Sequence, residues 1–180
     1  WMNRLPVPSS DAHKYARGHA VIAGGEAITG AARLAALAAR RLGAGLLTIA
    51  AIGDSKTIYK LSSPGNLIEE IVRKGDFERV LRQKQRNAVL IGPGRGLVGS
   101  IKNDIITALQ SRMPTVLDAD ALTVFKDDPS ELFSYIDGPC ILTPHQGEFD
   151  RLFGFSKNRL DNCREAANLA SSVIVLKGYD

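Results

Sequence analysis

Cysteine is scarce in this chain, and the little there is excludes two kinds of chemistry. Cys140 and Cys163 are the only two among 180 residues. They form no CxxC, and neither stands at a zinc spacing from His13, His19 or His145, so the sequence carries no disulfide framework and no structural zinc pattern. Both read as reduced packing residues. Long apolar runs are lacking as well. No stretch approaches the roughly 18 consecutive apolar residues of a membrane helix, and the opening WMNRLPVPSSDAHKY has no signal-peptide core, which points to a cytoplasmic chain with no membrane contact. The formal charge of +4 is scattered except at Arg79 to Arg86. That patch has no interleaved aromatics on which bases could stack, so it reads as a solvated helix face and not as a nucleic-acid footprint. The positive excess suits an anionic small molecule.

With 44% hydrophobic residues, the chain can bury the core of one globular domain and has little room for a second. Trp1 precedes Met2, and Pro6, Pro8, Ser9 and Ser10 give residues 1–18 the look of a linker cut from something longer. From His19 onward the pattern is regular. Strands are expected at Ala20 to Ala23, Leu46 to Ala51, Ala88 to Ile91, Thr115 to Leu117, Cys140 to Leu142 and Val173 to Leu176. Helices are expected at Ala31 to Leu42, Ser100 to Arg112, Ala121 to Phe125, from Gln146 and from about Leu160 to Ser171, with a less regular region up to about Gln85. Short apolar strands alternating with helices predict a mostly parallel sheet covered on both faces, a three-layer αβα sandwich.

The polar residues collect where those strands end. In ILTPHQGEF, an apolar run stops at Thr143-Pro144, and His145 and Glu148 follow three residues apart at a helix start. They are either a helix cap or site residues at the strand edge where open parallel sheets bind ligands. GGEAITG, Gly24 to Gly30, has phosphate-loop glycine spacing, but Ala31 and Ala32 stand where Lys and Ser or Thr are required. It is a flexible turn or a helix start whose amides meet an anion or a ligand carbonyl. GRGLVG, Gly94 to Gly99, matches GxGxxG literally, yet it lies outside the first βα unit and follows Pro93, so it is read as a close-approach backbone loop and not as a dehydrogenase fingerprint. In VLDADAL, Asp118 is placed for a hydroxyl or, through water, a magnesium ion, while Asp120 is expected to cap the following helix.

Six blocks, HKYARGHAVIAGG, TGAARLAALAARRLGAGLLTIA, AVLIGPGRG, VLDADALTVF, ILTPHQGEFDRLFG and VIVLKG, together resemble in order and spacing the ADP- or ATP-dependent NAD(P)H-hydrate dehydratases, a ribokinase-like family. The resemblance covers nearly the whole chain. It implies repair of hydrated NADH or NADPH: a phosphoryl group passes from ADP or ATP, with Mg2+, to the ring hydroxyl, and phosphate is then eliminated. It also implies that Ala31, Gly96 and His145 contact the hydrated dinucleotide, and Gly94 and Asp118 are expected to bind the same substrate. Lys177 and Gly178 begin the nucleotide-phosphate loop, and Glu148 organises magnesium through water. Gln146, Thr123 and Tyr179-Asp180 depart from the residues usual in the family. Its catalytic aspartate, on a glycine-rich loop, is expected beyond Asp180, so no catalytic residue is expected within the chain, which is expected to bind dinucleotide without turning it over. An upstream epimerase domain and a homo-oligomer are further implications. The competing readings are a ribokinase-like vitamin or sugar-alcohol kinase and a non-catalytic dinucleotide-binding module.

Overall fold

Short apolar runs become strands, and the alanine-rich and amphipathic stretches between them become helices. The computed structural model describes residue 9 and residues 11–97, 99–154 and 158–178. Along these run β1 (His19–Ala23), α1 (Thr29–Arg41), β2 (Leu46–Ile52), α2 (Ser55–Ser62), β3 (Leu67–Ile71), α3 (Asp76–Leu81), β4 (Ala88–Ile91), α4 (Ile101–Gln110), β5 (Thr115–Leu117), α5 (Asp120–Thr123), α6 (Pro129–Ser134), β6 (Cys140–Leu142), α7 (Gln146–Phe153), α8 (Arg159–Leu169) and β7 (Val173–Ile174). The strands form one sheet in the order β3-β2-β1-β4-β5-β6-β7, parallel at every described pairing.

Side chains of β1 alternate between two cores. Ile22 packs with Ala32 and Ala36 of α1, Leu47 and Ile49 of β2 and Tyr59 of α2; Val21 and Ala23 join Val80 of α3, Ile105 and Ala108 of α4 and Leu122 of α5. A strand buried on both faces must be apolar at successive positions, which is why β1 and β2 lack polar alternation. Each fully buried Ile or Leu contributes about 1.5–3 kcal/mol, so the central strands anchor both outer layers. The parallel sheet covered by helices on both faces is the three-layer arrangement expected. Cys140 packs in the larger core, where burial pushes its thiol up to about 12, as suits an inert packing residue.

Several elements differ from expectation. The region up to Gln85 contains α2, β3 and α3. β3, LIEEI, carries two glutamates that disguise it as a loop; on this sheet edge Glu69 pairs with Arg86 and Glu70 with Lys56. Charges on an edge strand also discourage pairing with another chain. The basic patch is therefore not one solvated face. Its helix ends at Leu81, and Arg86 turns inward, donating to the Val80 carbonyl and to Glu69. α6 is a further element beyond those expected, with Asp128 as its cap and Pro129 as its first residue. β7 is shorter than expected, but its pairing continues through Val175 and Lys177, whose amides donate to Leu142 and Pro144. No helix among the described residues is long and apolar enough to cross a membrane. The linker-like Pro6, Pro8 and Ser10 and the Tyr179-Asp180 departure lie outside the described residues.

Candidate functional site

The strand order reverses between β1 and β4, and such a switch point opens a crevice at the carboxyl edge of a parallel sheet. Two glycine loops meet there. A Cβ on Gly25 would lie 1.6 Å from the Gly94 carbonyl oxygen, and one on Gly94 would lie 2.5 Å from the Ile28 carbonyl oxygen and 3.2 Å from Cβ of Ala31. Glycine is required because two backbones touch; the close approach is of loop to loop. Tyr59, from α2, fastens the first loop by donating to the Gly25 carbonyl at 2.8 Å. Burial pushes the phenol up to about 12, so it stays a donor. α1 begins at Ile28 and Thr29 without a side-chain cap, and nothing approaches the open side of Gly30. The amides of its first turn are therefore free of side-chain partners.

Arg95 of the second loop is 3% exposed and forms an ion pair with Asp104 of α4, itself 6% exposed. Ser100 also donates to Asp104, at 3.0 Å. Burial pushes the Asp104 carboxyl up and the Arg95 guanidinium down, in each case outweighing the partner's attraction. Both shifts favour the neutral forms, so the pair serves geometry more than net stability. It anchors the loop from below.

Asp118, Ala119 and Asp120 form a tight turn closed by the Ala121 amide on the Asp118 carbonyl, 3.1 Å. Ala119 has φ 49° and ψ −116°, a conformation suited to glycine. The turn sends the flanking carboxylates to different elements: Lys177 donates to Asp118 at 2.6 Å, and the Gly96 amide donates to Asp120 at 2.8 Å. Asp120 is thus not the expected cap of α5. It is the first residue of that helix, and its carboxylate is committed to the Gly96 loop. Ala119 costs about 1–3 kcal/mol in strain, of which glycine would return all but about 0.4–1 kcal/mol of chain entropy. Ala119→Gly is therefore expected to raise the thermal midpoint by about 2–4 °C, measured by calorimetry. A lowered midpoint would refute the strain.

His145 is the N-cap of α7. Its Nδ1 accepts from the Glu148 amide at 3.3 Å, while Glu148 Oε2 accepts from the His145 amide at 2.9 Å, completing a capping box. The cap and site readings of this segment are thus compatible. Because Nδ1 is the acceptor, the proton of the neutral ring resides on Nε2, on a side chain 55% exposed. The Glu148 side chain is 7% exposed, with Oε1 3.6 Å from Nε2. A backbone bridge joins His145 to Lys177, and the Arg159 guanidinium donates to the Lys177 carbonyl at 3.1 Å. Gly178 lies against Arg159, where a Cβ would come within 2.0 Å of Nη2.

Ala31, Gly94, Gly96, Asp118, His145, Lys177 and Gly178 therefore lie along this one edge. Ala31 touches the Gly94 loop, Gly96 is tied to Asp120, Asp118 reaches Lys177, and Lys177 runs beside His145 and ahead of Gly178. Tyr59, Arg95, Asp104 and the Asp120 tether have no sequence signal beyond an arginine set between two glycines. A hollow of about 460 Å3 between Leu81, Thr107 and Met113 lies at the C-terminal ends of α3 and α4, on the opposite edge. We assign the site by convergence of polar groups and not by that hollow. Among the described residues no cluster of three or more His, Cys, Asp or Glu could hold a metal directly.

Residues 19–180 match the NAD(P)H-hydrate dehydratase family. The chain is 36% identical to the bifunctional NAD(P)H-hydrate repair enzyme Nnr of Coxiella burnetii, over 97% of this chain and 36% of that protein. It is 34% identical to the ADP-dependent (S)-NAD(P)H-hydrate dehydratase of Bacillus subtilis, over 97% of this chain and 63% of the relative. The crystal structure of the ADP/ATP-dependent NAD(P)H-hydrate dehydratase from Bacillus subtilis, co-crystallized with ATP/Mg2+, superposes with a TM-score of 0.78 at 31% identity, covering 97% of this chain and 62% of that one. A ribokinase-like superfamily protein from Enterococcus faecalis gives 0.79 at 26% identity, covering 97% and 62%. The chain thus spans about a third to two thirds of these proteins' lengths. Continuous from β1 to the last residue, the match makes this chain a member of the NAD(P)H-hydrate dehydratase family.

Proposed function

We propose that this edge binds hydrated NADH or NADPH beside an adenine nucleotide and serves nucleotide-driven dehydration back to the reduced cofactor. The observation that carries the reading is the chain of contacts joining Ala31, Gly94, Gly96, Asp120, Asp118, Lys177 and His145 along one sheet edge. Hydroxide leaves poorly from a hydrated nicotinamide ring. Transfer of a phosphoryl group to the ring hydroxyl converts it to phosphate, which the lone pair of the ring nitrogen then helps to expel. Such transfer needs positioning and charge neutralisation more than covalent help.

The roles divide accordingly. Ala31, Gly94, Gly96 and Asp118 receive the dinucleotide, and His145 offers it the Nε2 proton. Lys177 supplies a cation to the nucleotide phosphates, with Gly178 letting them approach the backbone. Glu148 is buried with one oxygen committed to the cap, and its remaining lone pairs suit a water shell around Mg2+, an oxygen-seeking ion. Magnesium would neutralise phosphate charge. No general base is assigned among these residues. The reading places the protein in the cytoplasm and includes association of copies, for which exposed Leu34, Leu37, Ile58 and Leu61 provide apolar surface. The length of the bifunctional relative leaves room for an accompanying epimerase domain. Family membership disfavours a vitamin or sugar-alcohol kinase.

The test is titration of hydrated NADH and NADPH, and separately of ADP and ATP with Mg2+, onto the chain, alongside recovery of reduced-nicotinamide absorbance. Lys177→Ala is expected to weaken nucleotide roughly tenfold, the loss of a charge-assisted contact, and to leave the dinucleotide within about threefold. No affinity of the chain for either hydrate would overturn the reading.

A further inference from the structure

The Gly96 loop is held on three successive residues by three different elements. Gly94 is wedged against the Ile28 carbonyl ahead of α1, Arg95 is bound to Asp104 in α4, and the Gly96 amide donates to Asp120 in α5. The first is steric and the second lies inside the core. In the third, a side chain holds the backbone amide of Gly96, a residue assigned to the dinucleotide. Its acceptor comes from a turn with an unusual backbone: Ala119 takes a glycine-like conformation, and the residues on either side of it serve two loops, Asp118 toward Lys177 and Asp120 toward Gly96. A helix-capping aspartate needs no such turn.

We infer that Asp120 is a positioning residue for the dinucleotide: by accepting the Gly96 amide it fixes the loop and withdraws that amide from ligand binding. This rests on the functional reading above. Its consequence is specific. A free amide at Gly96 would offer an N–H to an anion. With Asp120 in place, the Gly96 N–H is committed and is not offered to a phosphate. The tether needs an acceptor oxygen and not a negative charge, so asparagine can replace aspartate and alanine cannot.

The experiment compares Asp120→Ala and Asp120→Asn in the full 180-residue chain by amide exchange at Gly96 and by affinity for hydrated NADPH and for ADP. Asp120→Ala is expected to speed Gly96 exchange and weaken hydrated NADPH, each by roughly tenfold or more, with ADP unchanged within about twofold. Asp120→Asn is expected to keep all three within about threefold. Equal loss with Asn and Ala would overturn the inference, since the charge itself would then be acting on the ligand. So would unchanged Gly96 exchange in Asp120→Ala, or equal weakening of both ligands with a lowered thermal midpoint, the mark of a merely structural role. If the unsubstituted chain binds no hydrated NADPH, the functional reading fails, and Gly96 exchange alone then decides whether the tether exists.

Discussion

Asp104→Ala is expected to destabilise the chain by about 3–5 kcal/mol, the cost of leaving a buried guanidinium without its counter-charge. Arg95 cannot escape to solvent: it is 3% exposed, lies in a loop pinned on both sides, and already has one buried N–H, Nε, without a hydrogen-bond partner. Losing the carboxylate also strands the Ser100 hydroxyl. The complementary experiment separates geometry from stability. Replacing both partners by apolar residues of similar volume, Arg95→Met with Asp104→Leu, should leave stability within about 1–2 kcal/mol of the parent, because each ion is costly to bury and both are shifted toward neutrality. Urea unfolding of the single and double variants provides the check. A single variant costing less than about 1 kcal/mol would show that Arg95 finds other partners.

His145→Ala is expected to show two separable losses. The first is stability, by about 0.5–2 kcal/mol, because the ring nitrogen that accepts the Glu148 amide disappears and half of the capping box goes with it. The second is affinity for the hydrated dinucleotide, by roughly tenfold or more, because the exposed Nε2 donor is lost. His145→Asn divides them: asparagine is among the strongest N-cap residues, so helix stability should return while binding remains impaired. Recovery of both in the asparagine variant would reduce His145 to a cap. Stoichiometric zinc lost on His145→Ala would assign the ring to a metal instead.

Which parts were legible in the sequence follows from how local their causes are. The boundaries of β4, β5 and β6 are those expected, because each is a short apolar run closed by glycine, proline or aspartate. β3 escaped notice because Glu69 and Glu70 are tolerable in a strand only when Arg86 and Lys56 arrive from other segments. A lone sequence does not announce those partners.

The site divides along the same line. Periodicity and turn chemistry determined that Gly24 to Gly30, Gly94 to Gly99, Asp118, His145 and Lys177 follow strands of a parallel sheet, hence share an edge. Only the tertiary structure decided which of them touch. Asp118 meets Lys177 across the intervening β6, and Gly96 meets Asp120 between neighbouring strand ends. Strand order and loop height set those meetings, and they depend on how the helices pack above and below the sheet. Hydrophobic periodicity reports which face of an element is buried; the neighbour a polar side chain finds is set by long-range packing that local pattern does not encode.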